Sequence, residues 1–272
     1  VRLSGWDAPF QHLSASAISL LITCPEQFRL RRIKRIPETW GIDKFIGSVD
    51  HKTHQENFTQ KIVTAKNLTI EDMAGAYHRT WDKEYLESDE EPDFGDKDPV
   101  QTREHGWQMV EAYHDLASPS VQPINVEERF EVRVPDVPIP VVGYTDVETK
   151  ETLIERKTTG ARLKKPKAKW LTQGRIYSMA YAKPVEWHVV TKQVTPQVIT
   201  PYYEPGLRLD SADHDATALM IQQAAYTLND LWLRYGPDTP WPVNGLYHDW
   251  ACSYCSFGPS YGKNCVAWKG SA

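Results

Sequence analysis

The chain has 272 residues, 40% hydrophobic and 25% charged, with a formal net charge of −5. This is the composition of one large globular domain or two small ones, and it excludes a disordered, collagen-like or coiled-coil chain. No run approaches the roughly 18 uninterrupted apolar residues of a membrane span, and Val1-Arg2-Leu3-Ser4-Gly5-Trp6 is followed by no apolar signal-peptide core. The expectation is a cytoplasmic protein with no membrane partner. A chain of this length needs no disulfide staples, so its four cysteines are expected to bind metal or stay reduced.

In chain order, Ser14 caps a short helix whose inner face is Ile18, Leu21 and Ile22. Cys24-Pro25 ends it, because the residue before proline is driven out of helical geometry. Pro25 opens a second, basic helix to about Lys34, and helical spacing continues over 45–62, 70–87 and 101–117. From 125 the period becomes two. Val126, Phe130, Val132 and Val134 take one face and Glu127, Arg129, Glu131 and Arg133 the other, with Glu128 the lone acid on the apolar side. Strands are expected near 139–147 and 153–158, a helix over 168–182, strands near 185–191 and 197–203, and a long helix over 212–235. That order predicts an α/β fold, a mixed central sheet flanked by helices, in a single domain over 1–272.

Charge is segregated along the chain. Residues 82–98 carry nine acids against Lys83 and Lys97 and read as a solvated acidic insertion. Arg29, Arg31, Arg32, Lys34 and Arg35 form one acid-free basic run. Arg156, Lys157, Arg162, Lys164, Lys165, Lys167 and Lys169 form another. A solvated face is the plain reading of either. Two such runs in a net-acidic chain point instead to a phosphate backbone, with Arg31, Arg32, Arg162, Lys164 and Lys165 as the nucleic-acid contacts.

The sharpest signal is the hairpin from Ile139 to Thr158. Strand alternation puts Glu155 and Lys157 on one face and Ile154 and Arg156 on the other. An antiparallel return brings Asp146 across from Glu155. Two carboxylates that close call for a cation, and a hard divalent ion with oxygen ligands suits them. The alternative is a surface ion-pair ladder, but the apolar Leu153, Ile154 and Pro138 to Val142 argue for a buried hairpin.

Gly143-x-x-Asp146 followed by Glu155-x-Lys157 resembles the metal-binding core of PD-(D/E)XK nucleases, which have a restriction-endonuclease-like core. Three more motifs resemble the RecB-like exonuclease branch that includes the CRISPR-associated iron–sulfur exonucleases. These are Gly47-Ser48-Val49-Asp50-His51, Gln173-Gly174-Arg175-Ile176-Tyr177, and Cys24 together with Cys252, Cys255 and Cys265. The resemblance runs from Leu13 to Cys265. It implies Lys157, Glu155, Asp146, Gln173 and Tyr177 as catalytic residues. It further implies Mg2+ or Mn2+ on His51, Asp146, Glu155 and the Arg156 carbonyl, and a 4Fe-4S cluster on the cysteines. On residue chemistry alone, zinc fits four thiolates too, and His54 is as good a ligand as His51. The cluster would tie 14–36 to 240–268.

The expected activity is a metal-dependent DNA exonuclease acting on single-stranded ends, with Trp170, Tyr177 or Tyr181 stacking bases. Two alternatives stay open: a partner-dependent subunit of a CRISPR-adaptation or recombination complex, and a non-catalytic zinc-containing DNA-binding module. A homo-oligomer is compatible with each.

Overall fold

Helix α1, Ala15–Thr23, begins where Ser14 Oγ accepts the Ala17 N–H at 3.1 Å. In this computed structural model residues 5–38, 41–88, 91–160, 162–163, 166–202, 211–243, 252, 255–258 and 265 are described. Ile18 and Leu21 are buried as expected, but Ile22 is 52% exposed and Ala15 and Ala17 take the inner face instead. Helix α2, Pro25–Phe28, continues as a π-helical turn over Arg29–Ile33. The basic helix therefore widens after Phe28, and Arg29 turns inward onto buried Glu26 through two bonds of 2.7 and 2.8 Å.

The remaining helices are α3 (Ile42–Thr64), α4 (Ile70–Glu87), α5 (Pro99–Leu116), α6 (Ala168–Tyr181) and α7 (Ser211–Tyr235). Thr69 caps α4 through the Asp72 N–H, and Asp98 caps α5 through the Gln101 N–H, so each cap takes up one of the free N–H groups of the first turn. The acidic stretch is thus partly structural. Its first acids lie on the last turns of α4, where Glu84 is buried and accepts from Ser48 and Lys52, and its last acid is the α5 cap.

Strands β1 (Asn125–Val132), β2 (Val141–Glu148), β3 (Leu153–Thr159), β4 (Val185–Thr191) and β5 (Val198–Tyr202) form a mixed five-stranded sheet among the described residues, in the order β1-β2-β3-β4-β5. β2 and β3 are antiparallel, β3 and β4 parallel, and β4 and β5 antiparallel. The parallel pair is joined through α6, as a parallel return requires. A Cβ at Gly174 would lie 2.7 Å from the Trp187 ring, so a bare glycine lets α6 pack close to β4.

By packing the chain divides into two units: Val1–Thr39, Glu131–Gly143 and Asp210–Ala272, and Trp40–Phe130 with Tyr144–Leu209. The core of the second gathers Phe45, Val49, Phe58, Met73, Tyr113, Val147 and Ile154 from α3, α4, α5 and the sheet. Each such fully buried side chain contributes roughly 1.5–3 kcal/mol of transfer free energy. In the first unit, Leu30, Phe257 and Cys265 form a small cluster with Ile36, Val243 and Cys255 against it.

Candidate active site

Strand β2 delivers Asp146, 8% exposed, at the centre of the second unit. β2 pairs with β3 at Val147–Ile154 and Glu148–Leu153, and Asp146 and Glu155 are the residues next to the end of that pairing. Asp146 Oδ2 accepts the Arg156 amide N–H at 2.7 Å, which fixes the carboxylate against the neighbouring strand.

Helix α3 supplies His51. A Cβ on Gly47 would stand 3.1 Å from Thr158 Oγ1, so the glycine lets α3 lie close over β3. His51 Nε2 lies 2.8 Å from Asp146 Oδ2, and its Nδ1 lies 3.3 Å from Glu127 Oε1. His51, Glu127 and Asp146 each offer a ligand atom within 4.8 Å of the others. The same three side chains, with Gln55, Phe58, Val147 and Arg156, line a cavity of about 10 Å3, room for one water-sized particle.

Glu127 was not among the residues expected here. Strict alternation along β1 favours Glu128, which is exposed instead. The cause is a backbone φ of 52° at Glu127. This left-handed kink at the start of the strand interrupts the pleat and turns Glu127 toward His51. Nothing in a two-residue period signals such a kink.

Glu155 and Lys157 share the other half of the site. Lys157 Nζ donates to Glu155 Oε1 at 2.5 Å and to Gln173 Oε1 at 3.1 Å. Gln173 Nε2 donates to Glu155 Oε1 at 2.7 Å and to the Tyr177 hydroxyl at 2.9 Å. The i,i+4 pair on α6 is therefore joined directly to the β3 carboxylate and ammonium. The Tyr177 ring packs edge-on against Phe130 at 4.9 Å. Tyr177 and Trp170 are both buried, so neither ring is open to stack a base, while Tyr181, the third candidate, is half-buried.

On the far face of β3, Arg156 is buried. It donates to Asp50 Oδ2 at 2.8 Å and lies over the Tyr113 ring at 4.3 Å. His54 is fully buried beside that same ring, 4.7 Å from it. The structure thus separates the two candidate histidines: His51 faces the carboxylates and His54 the core.

The charges interlock. Burial and the Asp146 charge push the Glu155 carboxyl up to about 7. Burial opposes charge on His51, but Asp146 and Glu127 outweigh it and raise the imidazole to about 9. Asp146 stays below the usual carboxylate range despite its burial, because His51, Lys157 and the Arg156 N–H favour the anion. Glu155 Oε2 is buried with no hydrogen-bond partner among the described residues. Crowded carboxylates, an unpaired inward-facing oxygen and an imidazole fit a hard divalent cation, which supplies the positive charge the oxygens lack.

The cysteines all lie in the first unit. Cys255 N–H donates to Cys252 O at 3.1 Å, Gly258 N–H to Cys255 O at 2.8 Å, and Cys265 N–H to Phe257 O at 3.1 Å. A Cβ at Gly258 would fall 2.2 Å from Cys252 O, so this tight loop admits only glycine there. Burial raises the Cys255 thiol, and the neighbouring Cys24 and Cys252 raise it further. All four are thiols outside any disulfide, and among the described residues the group of three ligand atoms within 4.8 Å of one another is that of His51, Glu127 and Asp146, not a set of cysteines.

Of the expected nucleic-acid contacts, Arg31 is paired with Glu38 at 2.5 Å, and Arg32 and Arg162 are exposed. Lys164 and Lys165 lie outside the described residues. No helix among the described residues is long and apolar enough to cross a membrane.

The PD-(D/E)XK nuclease superfamily signature matches residues 12–260. A solved structure described as a "putative exonuclease" from Eubacterium rectale superposes with a TM-score of 0.52 at 11% identity, over 86% of this chain and 84% of that one. A second, of the protein SSO0001, aligns over 93% and 95% of the two chains at 10% identity with a TM-score of 0.33. No curated protein matches the sequence. The signature spans nearly the whole chain: this chain belongs to the PD-(D/E)XK nuclease superfamily.

Proposed function

We propose that this chain is a Mg2+- or Mn2+-dependent DNA exonuclease that acts on single-stranded ends and carries a structural 4Fe-4S cluster on Cys24, Cys252, Cys255 and Cys265. The observation that carries the reading is the placement of Lys157 Nζ between Glu155 Oε1 and Gln173 Oε1, beside an Asp146 already fixed by His51 and the Arg156 amide. Asp146, Glu155, the Arg156 carbonyl and His51 are the ligands the resemblance supplies, and Glu127 adds a further oxygen. A divalent ion held by these residues would supply a lowered pKa for a bound water and polarisation of the phosphate.

The side chains do the rest. Lys157 orients the attacking water and offsets charge that develops on the phosphate. Gln173 holds Lys157 and Glu155 in one geometry, and the Tyr177 hydroxyl holds Gln173. Raised to about 9, His51 gives up a proton before it can act as a ligand.

The test is degradation of end-labelled linear single-stranded DNA, with circular DNA alongside, in Mn2+ and in EDTA, using Lys157→Ala as the control. Metal-dependent loss of the linear strand, absent in the variant, is expected. Cleavage of the circle would make the enzyme an endonuclease on the same residues, and no cleavage by cluster-loaded protein would defeat the reading.

A further inference from the structure

An open pocket in the first unit shares no residue with the catalytic centre. It measures about 480 Å3 and is lined by Phe10, His12, Ser14, Arg31, Arg32 and Arg35 among others. That is the size of a small-molecule pocket, roughly 300–1,000 Å3, and more than a single inorganic anion fills.

Its charge is unbalanced. Arg31 is paired with Glu38. Arg32 and Arg35 have no ion pair among the described residues, and Arg32 makes one long bond, 3.3 Å to Ser16 Oγ. Three guanidiniums therefore share one carboxylate.

The backbone adds an independent sign. Arg35 ends the π-helical turn with a φ of 50°, while the Ile36 N–H closes back onto Leu30 O at 3.1 Å. Glycine is the usual residue at such a closure, and a bulky side chain there is strained. Arg35 lies on the pocket wall. Phe10 adds an apolar face: it is half-buried, and its ring lies 5.5 Å from that of Phe28.

We infer that this pocket holds a segment of a single DNA strand, with backbone phosphates on Arg32 and Arg35 and a base against Phe10. The inference rests on the proposed DNA substrate.

The double variant Arg32→Ala/Arg35→Gly tests it. Both side chains are exposed, and glycine suits the backbone at 35, so the melting temperature is expected to hold or rise. Affinity for a fluorescein-labelled single-stranded oligonucleotide is measured by anisotropy in EDTA over a salt series. Loss of two phosphate contacts is expected to lower affinity about tenfold and to flatten the log–log salt slope by about 1.4. Phe10→Ala is expected to weaken binding without altering that slope. An unchanged slope in the double variant would overturn the inference. So would a variant that loses competition by thymidine monophosphate yet binds the oligonucleotide normally, since the pocket would then be a mononucleotide site. Binding in EDTA is read without hydrolysis, so a protein that binds but never cuts defeats the nuclease reading and leaves this one standing.

Discussion

The Arg156 guanidinium donates to Asp50 Oδ2 at 2.8 Å while the amide N–H of the same residue donates to Asp146 Oδ2 at 2.7 Å. One residue of β3 thus locks α3, just before His51, and also aims the carboxylate that His51 faces. Both partners of the ion pair are buried. Removing one side of such a pair costs about 3–5 kcal/mol, because the other charge is left stranded. Asp50→Asn is expected to lose stability in that range in urea unfolding and to bind Mn2+ more weakly. A variant as stable as the parent would show that the pair is not what joins helix to strand.

Gln173 touches Glu155, Lys157 and Tyr177 at once, so its loss should loosen both the carboxylate and the ammonium. For Gln173→Ala we expect single-turnover cleavage to slow about 10- to 100-fold, the usual scale for groups that orient a metal site, with DNA affinity in EDTA unchanged. Tyr177→Phe removes only the support behind Gln173 and is expected to cost less.

Glu127 reaches the site through a strained backbone. Its 3.3 Å approach to His51 Nδ1 leaves it two roles, a ligand or an anchor for the imidazole, and either should be felt in metal affinity. Glu127→Gln is expected to weaken Mn2+ binding about tenfold by calorimetry. Unchanged affinity would confine the ligands to the Asp146 and Glu155 side.

Buried His54 is held neutral, its pKa well below the ordinary value because burial disfavours the cation, with Arg156 adding to the effect. In the unfolded chain the same group takes up a proton near 6.5. Below that pH the unfolded state binds more protons, so the stability that neutral His54 allows is lost as pH falls from about 7 toward 5. His188, lowered mainly by burial, acts in the same sense. His54→Leu is expected to flatten the fall in melting temperature across this window, and an equally steep fall would assign it to other groups.

If the four cysteines hold a cluster, Cys255→Ala should lose iron and acid-labile sulfide together and lower the melting temperature. Gly258→Ala tests the same loop without removing a thiol: its Cβ meets Cys252 O at 2.2 Å, so the loop must open and ligation is expected to fail with it. Zinc in place of iron would reassign the metal and keep the site.

Much of the fold was legible in local chemistry. Ser14 and Cys24-Pro25 bounded α1, the switch to a two-residue period at 125 located the sheet, and the alternation of Ile154, Glu155, Arg156 and Lys157 placed acid and lysine on one face. These are short-range effects, set by caps, proline sterics and the pleat. The resemblance to the family's motifs likewise pointed to His51, Gln173 and Tyr177, whose i,i+4 spacing put each motif on one helix face.

Tertiary packing decided what no period encodes. Which of two histidines met the carboxylates depended on how α3 lay over β3, and Gly47 allowed that approach. Glu127 displaced Glu128 because a single left-handed φ interrupted the pleat. Tyr177 and Trp170 were buried because α6 packed close to β4 at Gly174. Arg156 turned from a basic surface residue of the sequence into a buried counter-ion, because Asp50 and the Tyr113 face lay where its side chain emerged. Each outcome rests on contacts between segments tens of residues apart, and that geometry exists only once the chain has closed on itself.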